Sequence, residues 1–164
     1  MFIHALALFA MLALDPKLEH AESQSRAYVK ATEKGDFETW IDLSNPKFIK
    51  MMGGRDSALK EMKKEFDGMS GAGYTFDPSK VEPPTDLHQT KDGLFCLVRY
   101  TSRMRVKGKK VSAEALLLGV STDDGKKWTF LQAENGEQFV RKLLPEIPES
   151  LKFPKIPLNP VEEK

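Results

Sequence analysis

The residue types that most often carry chemistry are sparse in this chain and poorly spaced for it. The three histidines, His4, His20 and His88, share no metal-ligand spacing. Cys96 is the one cysteine, so neither an intrachain disulfide nor a cysteine metal cluster can form. It stands in an apolar alternation and reads as a small buried hydrophobe rather than a nucleophile. Gly53-Gly54 joins helical segments and Gly71-Ala72-Gly73 precedes a strand, so neither is a phosphate-cradling loop between strand and helix. No metal and no cofactor is expected. What remains is a tyrosine, Tyr100, in a position to donate to a ligand, and a basic run of Arg99, Arg103, Arg105, Lys107, Lys109 and Lys110.

These residues lie in a predicted three-strand meander from Leu94 to Leu131, turned at Lys107-Gly108-Lys109-Lys110 and Asp123-Asp124-Gly125-Lys126. Asp-Gly between alternating apolar residues supplies the positive φ angles of a tight hairpin. With Gly108-Lys109 as a two-residue turn, Val106 pairs with Val111 and Arg103 with Glu114. One face then carries Cys96, Val98, Tyr100, Ser102 and Met104 together with Trp128, Phe130 and Gln132. That face is expected to meet the helices. Any pocket there would be lined by Tyr100, Ser102, Trp128 and Gln132, with Tyr28 and Trp40 from helices; the competing reading is a filled core. The other face carries the arginines beside Leu97, Leu116, Leu118, Val120 and Leu131, an apolar cluster that the C-terminal tail or a second subunit must cover. Its basic residues read as a solvated face with ion pairs, or as a docking patch for an acidic partner. No aromatic is interleaved for base stacking, so nucleic acid is not an expected partner.

Helical patterns occupy residues 16–70. Asp15 caps a helix with Pro16 at its first position, and Lys34-Gly35 ends it. Asp36 opens a second, over Phe37, Trp40 and Ile41; Asn45-Pro46 restarts the chain until Gly53-Gly54; a third helix carries Ala58, Leu59, Met62 and Phe66. Tyr74-Thr75-Phe76 reads as a short strand stopped by Asp77-Pro78, and Pro83-Pro84 confines the next segment to an edge. A short helix is predicted from Glu137 to Leu144, and then Pro145, Pro148, Pro154, Pro157 and Pro160 impose an extended tail that packs on the domain.

With 164 residues, a single domain is expected. The 25 basic and 24 acidic residues leave no global field that would draw it to nucleic acid or an anionic membrane. Three segments are expected: an apolar N-terminal run at 1–14, a domain at 15–144, and the Pro-rich tail at 145–164. Met1–Leu14 is apolar except for His4. At ~1.5 Å per residue it spans about 21 Å, short of a ~30 Å bilayer core. It suits the apolar region of an export signal, although no basic residue precedes it and no good cleavage site follows. A periplasmic or extracellular location is expected, with a buried N-terminal helix in a cytoplasmic protein as the alternative.

Gly35-Asp36, Trp40, Leu43, Pro46, Gly53-Gly54 and the Ser121–Phe130 phrase, followed by the Pro-rich ending, resemble the nuclear transport factor 2-like superfamily, in particular exported bacterial members of unassigned activity. The resemblance implies an α+β fold in which three N-terminal helices close one side of a strongly curved antiparallel sheet. It implies no catalytic residue, because the matching motifs are turns, caps and core positions. Ser121-x-Asp123-x-Gly125-x-Lys127-Trp128 is also similar to the Asp-box of sialidase-type propellers, with Lys127 where that motif has threonine. Propellers need several copies, and this chain has one.

Three functional readings follow. The first is a non-catalytic exported domain binding a small apolar ligand or a protein partner. The second is an enzyme like the ketosteroid isomerase-like or polyketide cyclase-like members of the superfamily. These need a base inside the cone, for which Asp42 and His88 are the candidates. The third is a structural module that dimerises through the outer sheet face.

Overall fold

The computed structural model describes residues 15–133, 136–157 and 160–162. The expectations for residues 1–14, and those for the tail at residues 158–159 and 163–164, lie outside the described residues. Helix α1 (Pro16–Lys34) starts where Lys17 N donates to the Asp15 carboxylate at 2.9 Å. It ends at Gly35, whose φ of 67° lets Asp36 N reach back to Ala31 O at 2.9 Å. A Cβ at that glycine would sit 3.1 Å from the Phe66 ring, so the turn is also a packing contact. Asp36 caps α2 (Phe37–Leu43) through Thr39 N, and Asn45 caps α3 (Pro46–Met51) through Lys47 N. Helix α4 spans Arg55–Gly71.

Four helices therefore precede the sheet, not three, and α5 (Glu137–Leu143) follows it. The extra helix is α3. Six residues are too few for a helix to persist on propensity alone. Here the segment is pinned from outside, because Asn45 N donates to Phe130 O at 2.8 Å.

The sheet is antiparallel. Its strands are β1 (Tyr74–Val81), β2 (Thr85–Thr90), β3 (Gly93–Val106), β4 (Lys109–Ser121), β5 (Thr129–Gln132) and β6 (Val161–Glu162). The order is β1-β3-β4-β5, with β2 also on β3 and β6 also on β4. Strand β1 does not stop at Asp77-Pro78. It crosses Pro78 with a register shift between Asp77 and Lys80, and the Ser79 N–H displaced from regular pairing donates to Glu33 at 2.7 Å.

The β3–β4 register also differs from the predicted one. Val106 faces Lys109, Arg103 faces Ser112 and Thr101 faces Glu114. The turn residues are Lys107 and Gly108, with φ of 51° and 84°, both positive as a type I′ turn requires. A shift of two residues preserves side-chain parity, so Cys96, Val98, Tyr100 and Ser102 still share a face with Gly119, Leu117, Ala115 and Ala113. The second turn has the predicted centre, pairing Gly119 with Phe130 and Leu117 with Gln132.

The two sheet faces hold two cores. The inner one packs α1, α2 and their neighbours on Cys96, Val98, Tyr100, Leu117, Trp128 and Phe130. The outer one packs Phe95, Leu97, Leu116, Leu118, Val120 and Leu131 under Val140, Leu144, Ile147 and Leu151. Of the two covers considered for the outer apolar cluster, the chain's own α5 and tail supply it. The apolar residues on which the expected dimer contact was based are covered by the chain itself.

Candidate functional site

The six residues expected to line an inner pocket are brought to the same side of the sheet, but as packing rather than as an open lining. Trp128, Tyr28 and Trp40 are 0%, 1% and 2% exposed. Tyr28 lies against both Trp40 and Phe130, with ring centroids 6.0 and 5.7 Å apart. Gly119 makes this density possible: a Cβ there would come within 2.9 Å of Cys96 Sγ and 3.2 Å of the Trp128 ring. Tyr100 is buried, and its hydroxyl accepts from Gln132 Nε2 at 3.3 Å; Ser102 and Gln132 are half-buried. The Trp40 indole N–H is buried with no hydrogen-bond partner, an arrangement that costs about 1–3 kcal/mol. Burial pushes the Cys96 thiol up to about 12, so it is protonated and inert at neutral pH.

Neither base candidate reaches Tyr100. Asp42 is exposed and pairs with Arg55 at 2.6 Å, and Arg55 also binds Glu38. The two carboxylates raise the Arg55 pKa and tie α2 to α4. His88 pairs across from Phe95 on the outer face, where its Nδ1 lies 2.9 Å from Ser150 Oγ of the tail. Among the described residues, the buried polar ones are Ser25, Ser44, Asn45 and Ser121, with no carboxylate or histidine.

The Ser121–Trp128 hairpin is a rigid clasp. Asp123 accepts from Lys127 N at 2.9 Å and from Ser121 Oγ at 2.9 Å, which lowers its pKa, the backbone donor contributing most. The Trp128 indole donates to Gly125 O at 3.1 Å. Successive turns of α1 then hold the hairpin from outside. Lys17 pairs with Asp124, His20 Nδ1 faces Gly125 O at 3.2 Å, and Gln24 exchanges bonds with Lys126 O and Trp128 N. A carbonyl only accepts, so His20 carries its proton on Nδ1. These groups are consumed in fastening α1 to the sheet.

Concave surface occurs where the outer layer meets the sheet. One cleft of about 350 Å³ has Val120 and Leu144 among its lining residues, with Asn45, Thr122 and Thr129, and the Lys47–Glu146 ion pair at 2.7 Å. A groove of about 390 Å³ runs between Gly136-Glu137 and Phe153–Ile156 over Leu116 and Ala133. Sequence reasoning missed both, because their walls are separated by up to a hundred residues. The signals present, Asn45-Pro46 and Leu144-Pro145, read as helix ends. Beside Tyr100 lies a pocket of about 50 Å³, bounded also by Glu82, Arg99, Glu114 and Ile156 and too small for an organic substrate.

Arg141 holds the outer layer together. It donates to Ile147 O, Pro148 O and Leu151 O, binds Glu137 at 2.7 Å, and stacks over Phe153 with its guanidinium 5.5 Å from the ring centre. The six basic residues between Arg99 and Lys110 are all exposed, but those on the strands divide between faces. Arg99, Arg103 and Arg105 share the outer row, and Lys110 faces Arg105, whereas Lys109 falls on the row of Val111. Arg105 pairs with Asp77 at 3.1 Å and Lys109 with Glu162 at 3.2 Å. Among the described residues no cluster of His, Cys, Asp and Glu could hold a metal ion, and no helix is long and apolar enough to cross a membrane. The sequence matches no family model and no curated protein.

Proposed function

We propose that this chain is an exported, non-catalytic domain with a nuclear transport factor 2-like cone, acting by binding a protein partner. The observation that carries the reading is the filled inner face. Enzymes of the superfamily it resembles need a base and an open cavity inside the sheet, and here that volume is taken by Tyr28, Trp40, Trp128 and Phe130. The chemistry left to the molecule is surface recognition, and the two grooves described above border the outer layer. Export rests on the apolar run before Asp15. Leu18 and Ala21 are buried in the inner core and Lys17 and His20 fasten the hairpin. Cleavage would therefore have to fall before the Asp15 cap for the domain to keep its packing.

Native mass spectrometry on protein purified from its own host tests both parts. The expected result is a mature chain starting at or before Asp15, carrying no retained small molecule and cross-linking to a protein through the outer layer. Isomerisation or cyclisation of a ketone substrate, abolished by Asp42→Asn or His88→Gln, would replace this reading with the enzyme one. The small-ligand reading draws on one observation, the cleft at Val120 and Leu144, whose volume falls in the ~300–1,000 Å³ range of ligand sites. A co-purifying apolar molecule displaced by Val120→Trp would establish it.

A further inference from the structure

The cleft where the end of β4 meets α3 and the start of the tail is built from two kinds of surface. Val120 and Leu144 give it an apolar floor, 5% and 1% exposed. Around them stand Asn45, Thr122, Lys127 and two carboxylates, Asp123 and Glu146. The carboxylates are engaged. Asp123 Oδ1 accepts from Ser121 Oγ and Lys127 N inside the hairpin, and Glu146 accepts from Lys47 at 2.7 Å.

The donors are not. Asn45 is only 4% exposed, and capping α3 fixes its orientation: Oδ1 accepts from Lys47 N at 3.0 Å, so Nδ2 is the unspent end. Among the described residues Nδ2 has no protein partner, yet it is not sealed from solvent as the Trp40 indole N–H is. A carboxamide so deeply set takes its acceptor from whatever fills the cleft, water or ligand. The Thr122 hydroxyl and the Lys127 ammonium, on residues exposed at the rim, also have no partner among the described residues.

We propose that this cleft binds a small carboxylic acid with an apolar chain. The carboxylate takes the Asn45 N–H, the Thr122 hydroxyl and the Lys127 ammonium, and the chain lies on Val120 and Leu144. The proposal rests on the small-ligand reading above and names the ligand's class. A volume of about 350 Å³ is at the low end of ligand sites and suits one short chain. An amine would meet donors where it needs acceptors. Because the rim is exposed, the acid exchanges with solvent, and a chain that purifies empty is compatible with the site.

The test titrates the full chain with sodium octanoate and follows side-chain and backbone amides by NMR. The Asn45 carboxamide and the amides of Val120 and Thr122 are expected to shift together and to saturate. Octylamine, of similar chain and opposite charge, should leave them in place. Asn45→Asp keeps the cap, since aspartate accepts from Lys47 N in the same way, but sets a carboxylate against the ligand's own. It should weaken octanoate at least about tenfold. Lys127→Met, on the exposed rim, should weaken it by up to about fivefold, the worth of an exposed charge pair. Equal binding of octylamine, shifts confined to other parts of the chain, or an affinity indifferent to both substitutions overturns the proposal. So does the absence of any saturable shift. The small-ligand reading fails separately: if a neutral apolar molecule is displaced by Val120→Trp while octanoate does not bind, that reading stands and this one falls.

Discussion

The two ends of the β3–β4 hairpin share one backbone ladder and differ in almost everything attached to it. Toward Leu94–Val98 and Leu116–Ser121 every residue is buried, because helices cover one face and α5 with the tail covers the other. Toward Thr101–Val106 and Lys109–Glu114 the side chains are half-buried or exposed, and basic residues replace the apolar ones of the outer row. Backbone pairing alone therefore does not decide which side chains of a strand are buried. The second layer does. Where both faces are covered, the strands read as unbroken hydrophobic runs and serve as core; where coverage stops, the same strands carry exposed basic side chains.

The largest effect should come from stripping the cover. Truncation before Gly136, which removes α5 and the tail together, would expose Leu97, Leu116, Leu118 and Leu131, each worth about 1.5–3 kcal/mol when buried, against a total stability of roughly 5–15 kcal/mol. The truncated chain should aggregate or unfold rather than run as a folded monomer in size exclusion. A stable monomer would mean that the outer layer is an accessory and the comparison is drawn in the wrong place.

Within the covered end, two tryptophans separate shape from hydrogen bonding. The Trp128 N–H has Gly125 O, and the Trp40 N–H has nothing. Replacement by phenylalanine removes similar volume from each. Trp128→Phe also strands an acceptor at the clasp, whereas Trp40→Phe relieves an orphan donor. The first should cost more than the second by roughly 1–3 kcal/mol in urea unfolding. Equal costs would mean that packing alone governs this core.

Much of this contrast was legible beforehand, for a physical reason. Asp15-Pro16, Gly35-Asp36 and Asn45-Pro46 announce helix ends locally, and period-two alternation puts Tyr100 and Trp128 on one face under any register shifted by an even number. The candidate site was not legible. Its walls, Asn45, Val120 and Leu144, meet only through tertiary packing. Whether the tail or a second subunit covered the outer face turned on contacts such as those of Arg141, which no local pattern encodes.

Cys96 reports the burial of the covered end through pH. An unfolded thiol ionises near pH 8.5, while the folded one is pushed up to about 12 by desolvation. Between those values the unfolded state binds fewer protons than the folded one, so stability falls as pH rises, by about 1.4 kcal/mol per unit. Lysines and tyrosines also titrate there, so the difference between wild type and Cys96→Ala is the quantity to measure. That difference should be flat below pH 8 and sloped from about 8.5 upward. A slope absent from the wild type would place the thiol in contact with water.

The smallest expected effect tests the open end, and its sign matters more than its size. Lys107 holds φ at 51° in a turn whose second residue, Gly108, has φ of 84°. A lysine has no side-chain compensation for that conformation, whereas asparagine tolerates it and Asn-Gly is the preferred pair for this turn. Lys107→Asn should therefore stabilise the fold by about 0.5 kcal/mol, seen as a shift of the urea midpoint at constant slope. If the turn were instead Gly108-Lys109, residue 107 would be the last of a strand, where asparagine is disfavoured, and the same substitution would destabilise. A destabilised Lys107→Asn would thus move the register by two, pair Arg103 with Glu114, and change which residues of β4 stand opposite the C-terminal strand.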